Sequence, residues 1–207
     1  MRNEDKLILH LCADMGSDSK PYRDAGYRVQ CIGKNIGVEN FSVTEPVYGI
    51  IANPVCTNFS RAPGNVENRD MSWGLNILSH CCRIIVEAGD SLHFYAIENP
   101  ATGRLKEILG KPRYSYEPWW FGDPWTKKTA LWGKFRDPRR EYYEWDAVPK
   151  NPHLYIRPGR GKPSIAFLHK SAKEHIESFR EFNTPSDAEF RSLCPQGFAK
   201  AFFDANR

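Results

Sequence analysis

The chain has 207 residues, of which 41% are hydrophobic, 26% are charged and 13% are aromatic, and its formal net charge is +4. This length suits one domain with a full hydrophobic core, and the aromatic content with the small net charge excludes an intrinsically disordered chain. No apolar run reaches the roughly 18 residues of a membrane-spanning helix, so we expect no membrane partner.

Short apolar segments alternate with helix-like segments through the first two-thirds of the chain. In chain order, strands are predicted at residues 6–12, 27–32, 47–52, 92–97 and 129–132, and helices at 21–26, 71–88 and 102–109. This alternation predicts βαβ units, and therefore an α/β fold with a mostly parallel sheet and helices on both faces. In such sheets ligands bind beyond the carboxyl ends of the strands.

The last third of the chain has a different composition. Residues 136–163 are rich in Pro, Arg, Lys and Tyr and are predicted to form a small irregular appended segment. Its basic and aromatic residues are Arg139, Arg140, Lys150, Arg157, Arg160, Lys162, Tyr142, Tyr143, Trp145 and Tyr155. Such residues suit phosphate contacts and base stacking, although a solvated basic loop with packed aromatics gives the same pattern.

Two helices are predicted after this segment, at residues 171–182 and 198–205. The second places Phe198 and Phe202 on one face, so we expect it to pack back on the sheet. The chain is thus predicted to divide into an α/β core at 1–135, a short basic and aromatic segment at 136–170 and C-terminal helices at 171–207.

The cysteines predict a reducing compartment. The chain has six, namely Cys12, Cys31, Cys56, Cys81, Cys82 and Cys194. No two of them form a Cys-x-x-Cys pair, and the adjacent ligands His80, Cys81 and Cys82 do not converge on one ion from a regular helix. We therefore expect free thiols, no metal site and a cytoplasmic protein.

Three predicted strands are followed by residues that carry chemistry. A loop with one glycine follows the first strand, Cys56 follows the third and Glu98 follows the fourth. Because the carboxyl ends of parallel strands meet at one edge of a sheet, the thiol and the carboxyl group are expected in one crevice. A thiolate that adds to C6 of a pyrimidine makes C5 reactive, and an acid at N3 stabilises the charge that this addition creates. We therefore expect Cys56 to be a nucleophile and Glu98 to be the partner of N3.

These motifs resemble those of DNA cytosine-5 methyltransferases, in particular the short phage and bacterial members. Residues 9–19 are similar to the first motif of that family, residues 54–60 to its cysteine loop and residues 98–100 to its glutamate motif. Residues 121–133 resemble the strand near the base-binding arginines, and residues 195–203 resemble the closing helix. The resemblance implies a Rossmann-like methyltransferase sheet, S-adenosylmethionine as the cofactor, and DNA as the partner that presents a flipped cytosine.

The resemblance also implies roles for residues around the catalytic pair. Residues expected to bind the substrate are Asn58, Ser60, Asn99 and Lys128. Residues expected to bind the cofactor are Cys12, Ala13, Asp14, Met15, Gly16, Ser17, Asn53 and Pro54.

The chain departs from the family pattern near the cofactor motif. His10, Asp14 and Gly16 occupy places where the family has an aspartate and two glycines, and no acid ends the second strand. Two alternatives therefore stay open. One is an enzyme that modifies C5 of a pyrimidine with a different donor or on a nucleotide, and the other is a non-catalytic module that binds DNA or a partner.

Overall fold

The computed structural model describes residues 2–61 and 70–207. The strands are β1 (Leu7–Leu11), β2 (Arg28–Ile32), β3 (Gly49–Ala52), β4 (Phe94–Pro100), β5 (Tyr114–Tyr116) and β6 (Thr129–Lys134). The α-helices in these ranges are α1 (Lys20–Asp24), α2 (Cys56–Phe59), α3 (Met71–Ala88), α4 (Leu105–Leu109), α5 (Asp187–Ser192) and α6 (Gln196–Asn206).

The strands form one mixed sheet in the order β2-β1-β3-β4-β6-β5. Strands β1 to β4 are parallel to one another, whereas β6 is antiparallel to both of its neighbours. The α/β fold with a mostly parallel sheet is therefore confirmed. The chain passes from β1 to β2 on one side and then to β3 on the other side, so the strand order reverses between β1 and β3. A reversal of this kind opens a crevice beyond the carboxyl ends of the two strands.

Helices cover both faces of the sheet, as predicted. One face of β1, β3 and β4 packs in a buried cluster with α3 and the start of α4, through residues such as Leu9, Ile50 and Ile84. The opposite face packs in a second cluster with α1 and α6, where Phe198 and Phe202 are both buried. The predicted docking of the C-terminal helix is therefore confirmed. Alternation of side chains along each strand produces the two faces.

A third buried cluster lies in the last third of the chain. It joins Trp125, Leu154 and Ile165 to side chains from 176–193, so the predicted second and third segments contribute to one cluster. The α-helix predicted at 171–182 is wrong, because the chain forms the 3₁₀ helices Lys170–His175 and Glu177–Phe179. The buried residues Ile176, Phe179 and Phe182 are three residues apart, which is the period of a 3₁₀ helix and not of an α-helix.

Over residues 2–61 and 70–207, no helix has both the length and the hydrophobicity that a bilayer-spanning segment requires.

Candidate active site

Cys56 lies on a short turn that three neighbouring elements hold in place. Strand β3 ends at Ala52, and Cys56 follows as the first residue of α2 and is exposed. The Asn99 amide donates to the Pro54 carbonyl oxygen at 2.8 Å, which ties the loop to β4. On the other side Gly74 of α3 allows close approach, since a side-chain carbon there would lie 2.8 Å from Asn58 Cβ. Cys56 is therefore held at the carboxyl edge of the sheet as an exposed residue, although protein atoms crowd its thiol.

Glu98 lies on β4, on the sheet face that packs against α6. The residue as a whole is half-buried, and its Oε2 accepts a hydrogen bond from Asn53 Nδ2 at 3.2 Å. Asn53 continues the line of β3, because its backbone N–H donates to the Leu11 carbonyl oxygen at 3.0 Å. The acid is thus held by residues at the ends of two adjacent parallel strands.

Two hydrogen bonds, from Asn53 to Glu98 and from Asn99 to Pro54, hold the loop that bears Cys56 against the end of β4 that carries Glu98. Crowding by protein atoms raises the pKa of the Cys56 thiol, and the Glu98 carboxylate raises it further. Burial also raises the pKa of the Glu98 carboxyl group. The Lys127 ammonium group lowers this pKa, but the effect of burial is larger. Protonation of Glu98 therefore removes one of the charges that oppose formation of the thiolate.

Lys127 is a member of this site that the sequence did not single out. Its ammonium group lowers the pKa of both Cys56 and Glu98, and it donates to the Leu193 carbonyl oxygen at 3.0 Å. Lys128, which was predicted to bind the substrate, is exposed, and its ammonium group acts to lower the pKa of Glu117. Leu131 pairs with Glu98, and Lys127 lies an even number of residues before Leu131, so their side chains are expected on the same face. Sequence alone does not say which face of β6 meets the acid.

The other predicted substrate-binding residues surround the cysteine turn. Asn58 is buried against Gly74 of α3, and Asn99 holds Pro54 as described above. Ser60 ends α2 and is half-buried. These contacts position the turn, and direct binding of a substrate by these residues stays a prediction.

The first half of the loop after β1 is bound to neighbouring strands. Cys12 is half-buried with a positive φ of 58°, and Ala13 is buried. The Asp14 carboxylate accepts a hydrogen bond from Lys34 N at 2.9 Å and pairs with the same lysine's ammonium group at 3.4 Å. Gly33 stands at the end of β2, and a side chain there would collide with Asp14 Oδ1. This end of β2 therefore has neither an acid nor the space for one.

The second half of the same loop is bound to the C-terminal part of the chain. Met15 packs against the third cluster, while Gly16 turns with a φ of 66°. Ser17 Oγ accepts a hydrogen bond from Cys194 N at 3.0 Å, and the Ser17 carbonyl oxygen accepts one from Gln196 Nε2 at 3.1 Å. The polar groups predicted to contact a cofactor are thus engaged within the protein.

A small cavity lies between this loop, Glu98 and α6. Its volume is about 10 Å³, and its lining includes Asp18, Glu98, Cys194 and Phe198. That volume admits about one water molecule.

A basic–aromatic surface lies beside the β6 side of the site. We define it as Trp119, Arg140, Tyr143, Trp145, Lys150 and Lys162. The Arg140 guanidinium lies 3.7 Å from the Trp120 ring centre, and the Lys162 ammonium lies 4.4 Å from that of Trp119. The cations of this surface therefore stack on the protein's own rings.

An open groove with a volume of about 370 Å³ adjoins this surface. Its lining residues are Thr126, Arg160, Gly161, Lys162, Ser164 and Phe167. Thr126, which lines the groove, is the residue before Lys127 in the chain.

No protein-family profile matches the sequence, and no curated protein is significantly similar to it. In the part of the chain that the structure describes, no group of three or more His, Cys, Asp or Glu side chains is arranged to hold a metal ion. The case for a function therefore depends on the geometry of the site.

Proposed function

We propose that the protein performs covalent chemistry at C5 of cytosine in DNA, as the resemblance to DNA cytosine-5 methyltransferases implies. The observation that carries this proposal is that the loop bearing Cys56 is hydrogen-bonded to the end of β4 at two points, through Asn53 to Glu98 at 3.2 Å and through Pro54 to Asn99 at 2.8 Å. The Cys56 thiol and the Glu98 carboxyl group also interact with one cation, Lys127. A nucleophile, an acid and a cation around one space suit the attack on a flat, polar ring.

The chemistry of this site can be written with the chain's own groups. The Cys56 thiolate forms a bond to C6, the electron pair of the C5–C6 double bond moves into the ring, and Glu98 gives its proton to N3. Carbon C5 of the resulting enamine is nucleophilic and takes up an electrophile. A water molecule then takes the proton from C5, the electron pair of that C–H bond re-forms the C5–C6 double bond as the thiolate leaves C6, and N3 returns its proton to Glu98.

The sheet supports a Rossmann-like methyltransferase fold as part of this proposal. The first loop and Cys56 follow β1 and β3, the two strands between which the strand order reverses, and Glu98 lies on the adjacent strand β4; open α/β sheets bind ligands at such a place. The antiparallel strand β6 brings Lys127 to the same edge. A mixed sheet of this kind is also found in unrelated enzymes, so the fold alone assigns no reaction.

The residues present do not fit S-adenosylmethionine in the arrangement described. Gly33 replaces the acid that would hold the ribose, Asp14 is paired with Lys34, and the space beside α6 holds about one water molecule. Ligand pockets have volumes of several hundred Å³. We therefore derive no step through this cofactor, and the nature of the electrophile stays open.

DNA is the proposed partner because of the charge beside the site. Arg160 and Lys162 line the groove together with Thr126, and Lys128, two residues after Thr126 in the chain, is exposed. Positive groups along a groove suit the phosphates of a DNA strand. The cytoplasmic location predicted from the cysteines is consistent with such a partner, since all six thiols are free.

Exchange of the C5 hydrogen of cytosine tests this proposal without any donor. The protein is incubated in D₂O with a random-sequence DNA duplex, which is then digested, and deuterium in deoxycytidine is measured by mass spectrometry. The enamine takes up a deuteron at C5 and loses the original proton, so wild-type protein is expected to label cytosine. We expect Cys56→Ser to abolish labelling and Glu98→Gln to slow it by roughly 100-fold or more.

Cys82→Ser is the matched control for this experiment. Cys82 is a half-buried thiol on α3 whose pKa is raised by burial alone, so its loss is expected to leave labelling unchanged. Labelling of deoxycytidine monophosphate in preference to DNA would indicate a nucleotide substrate. Absence of labelling with every substrate, or labelling that survives Cys56→Ser, would contradict the proposed chemistry.

A non-catalytic DNA-binding module is the second candidate. The loop after β1 favours it, because Asp14 is bound to Lys34 and Ser17 is bound to Cys194 and Gln196, so these groups are not free to hold a cofactor. Under this alternative the duplex binds through the basic groove, and no deuterium enters cytosine.

A further inference from the structure

A buried polar row crosses the sheet behind the catalytic acid. We define the polar row as His10 on β1, Asn53 after β3 and Glu98 on β4. His10 is level with Ile51, and Ile51 is level with Ala96, so Asn53 and Glu98 each lie two residues further along on the same face. His10 is 2% exposed, although histidine is polar and is fully buried less often than apolar residues are. A buried imidazole in this position requires partners.

Along the polar row, His10 donates a hydrogen bond to Asn53, and Asn53 donates one to Glu98. Asn53 Oδ1 lies 2.8 Å from His10 Nε2, and an amide oxygen only accepts, so Nε2 carries a hydrogen. The amide nitrogen of Asn53 then donates one hydrogen to Glu98 Oε2 and the other to Asp18 Oδ1, each at 3.2 Å. The amide of Asn53 is thereby fixed between an imidazole and two carboxyl groups.

The other ring nitrogen of His10 also donates. Ser19 Oγ lies 2.9 Å from His10 Nδ1 and donates its own hydrogen to the Gly16 carbonyl oxygen at 3.2 Å. With that hydrogen directed to Gly16, we expect the Ser19 oxygen to accept from Nδ1 and both ring nitrogens of His10 to carry hydrogens. Asp18 Oδ2, at 3.6 Å from Nε2, balances the imidazolium charge.

We infer that His10 is a positioning residue for Glu98: through the Asn53 amide, it fixes the direction of the carboxyl group and the oxygen that carries its proton. Because Oε2 accepts from Asn53, Oε1 is the oxygen left to carry the proton toward the substrate. The structural part of this inference stands on the row itself, and its catalytic consequence rests on the proposed function.

Other charged and titratable groups also face the row. Those around Glu98 are Lys127, Asp18, His10, Cys56, Cys194 and Tyr116. Those around His10 are Asp18 and the Cys31 thiol, with Arg23 beside the thiol. Burial lowers the pKa of His10, but Cys31 and Asp18 outweigh it, so the pKa of His10 lies above its ordinary value.

Nuclear magnetic resonance of the histidine ring nitrogens tests the row directly. The chain has six histidines, and the signals of His10 are identified by their loss in His10→Gln. We expect His10 to carry hydrogens on both nitrogens at neutral pH. Glu98→Gln removes a negative charge from the row and is expected to lower the titration midpoint of His10 by about one pH unit.

Glu117→Gln is the matched control. Glu117 is another carboxyl group with a raised pKa, but it accepts from Lys127 N and lies outside the polar row. Its loss is expected to leave the His10 midpoint unchanged. A neutral His10 at pH 7, or equal shifts in the two variants, would overturn the inference.

The pH profile of deuterium exchange tests the catalytic consequence. Exchange falls at alkaline pH as Glu98 loses its proton. Removing the His10 charge raises the pKa of Glu98, so His10→Gln is expected to reduce the maximal rate about tenfold and move the alkaline limb to higher pH. A merely structural loss lowers the rate equally at all pH values, and that result would refute the positioning role.

The two measurements separate the inference from the proposed function. Absence of exchange in the wild type overturns the proposed function, while the ring-nitrogen titration still decides whether Glu98 and His10 are coupled. Exchange in the wild type with no coupling in the titration overturns the role of His10 alone.

Discussion

Two loops leave the same edge of the sheet, and they differ in how far their polar groups are already bound within the protein. The turn after β3 holds Cys56, an exposed residue, beside the end of β4 that carries Glu98. The loop after β1 has its carboxylate paired with Lys34 and its Ser17 bound to Cys194 and Gln196. Both loops lie at the carboxyl edge of the sheet, where a ligand is expected. What a loop can bind there depends on which of its polar groups have no partner within the protein.

The largest expected effect concerns α6, which closes the loop after β1. Phe198 is 4% exposed and stacks on Tyr116 with ring centres 3.6 Å apart. Phe198→Ala is expected to lower the free energy of unfolding by about 3–5 kcal/mol, measured by denaturant titration with circular dichroism. Ile108→Ala, at a 43% exposed position on α4, is the control and is expected to cost under about 1 kcal/mol. Equal losses in the two variants would show that α6 is not a principal contact of the core.

The second effect concerns a buried carboxyl group at the start of α6. Asp123 is 7% exposed and accepts a hydrogen bond from Gly197 N at 2.9 Å. Burial raises the pKa of Asp123 to about 7. Since the folded-state pKa exceeds the unfolded one, the folded protein binds the extra proton between about pH 4 and pH 7, and the contribution of Asp123 to stability is lost as the pH rises through this window.

Asp123→Asn removes this dependence on pH. The free energy of unfolding of the variant relative to wild type is expected to rise by roughly 3–4 kcal/mol between about pH 4 and pH 8. Asp204→Asn, at an exposed position on α6, is the control, and the difference between its free energy of unfolding and that of wild type should not vary with pH. A constant difference for Asp123→Asn as well would mean that this carboxyl group titrates normally.

A smaller effect is expected for DNA binding through the basic groove. The double variant Arg160→Ala with Lys128→Ala removes two exposed cations, one from the groove lining and one adjacent to Lys127 in the chain. We expect duplex affinity to fall about tenfold, and the slope of its logarithm against that of salt concentration to decrease by roughly two. Arg28→Ala removes a cation at the amino end of β2, at the opposite end of the strands, and should change neither quantity. Equal weakening by Arg28→Ala would indicate non-specific binding.

The smallest expected effect is a null result with the methyl donor. Because the loop after β1 is bound within the protein, calorimetry should detect no saturable binding of S-adenosylmethionine below about 1 mM. A dissociation constant in the micromolar range would show that the loop rearranges, and would restore ordinary methyl transfer as the reaction.

The strands that build the site were predictable because they are apolar runs bounded by turn residues. Strands β1, β3 and β4 and the helix α3 all lie within their predicted ranges or within a few residues of them. Strand β5 was not predicted, because three residues give no periodic signal and the strand depends on pairing with β6. The 3₁₀ helices at 170–179 were missed because their spacing of three was interpreted as an α-helical pattern.

The site was predictable only in part. Residue type and position after a predicted strand were enough to select Cys56 and Glu98 as candidates, because a nucleophile and an acid can each be recognised from a single side chain. The engagement of Asp14 by Lys34, the role of Lys127 and the polar row of His10, Asn53 and Glu98 arise between segments far apart in sequence. Such contacts depend on register and burial, which no local pattern specifies.

The pH dependence of Cys56 alkylation tests most directly whether the thiol and the Glu98 carboxyl group share one space. Trypsin releases residues 35–61 as a peptide in which Cys56 is the one cysteine, so mass spectrometry follows this thiol alone. We predict that Glu98→Gln lowers the pKa of Cys56 and that Lys127→Met raises it, while Glu117→Gln leaves it unchanged. Identical alkylation profiles in wild type and Glu98→Gln would contradict the account, because the two groups would then lie too far apart to act on one ring.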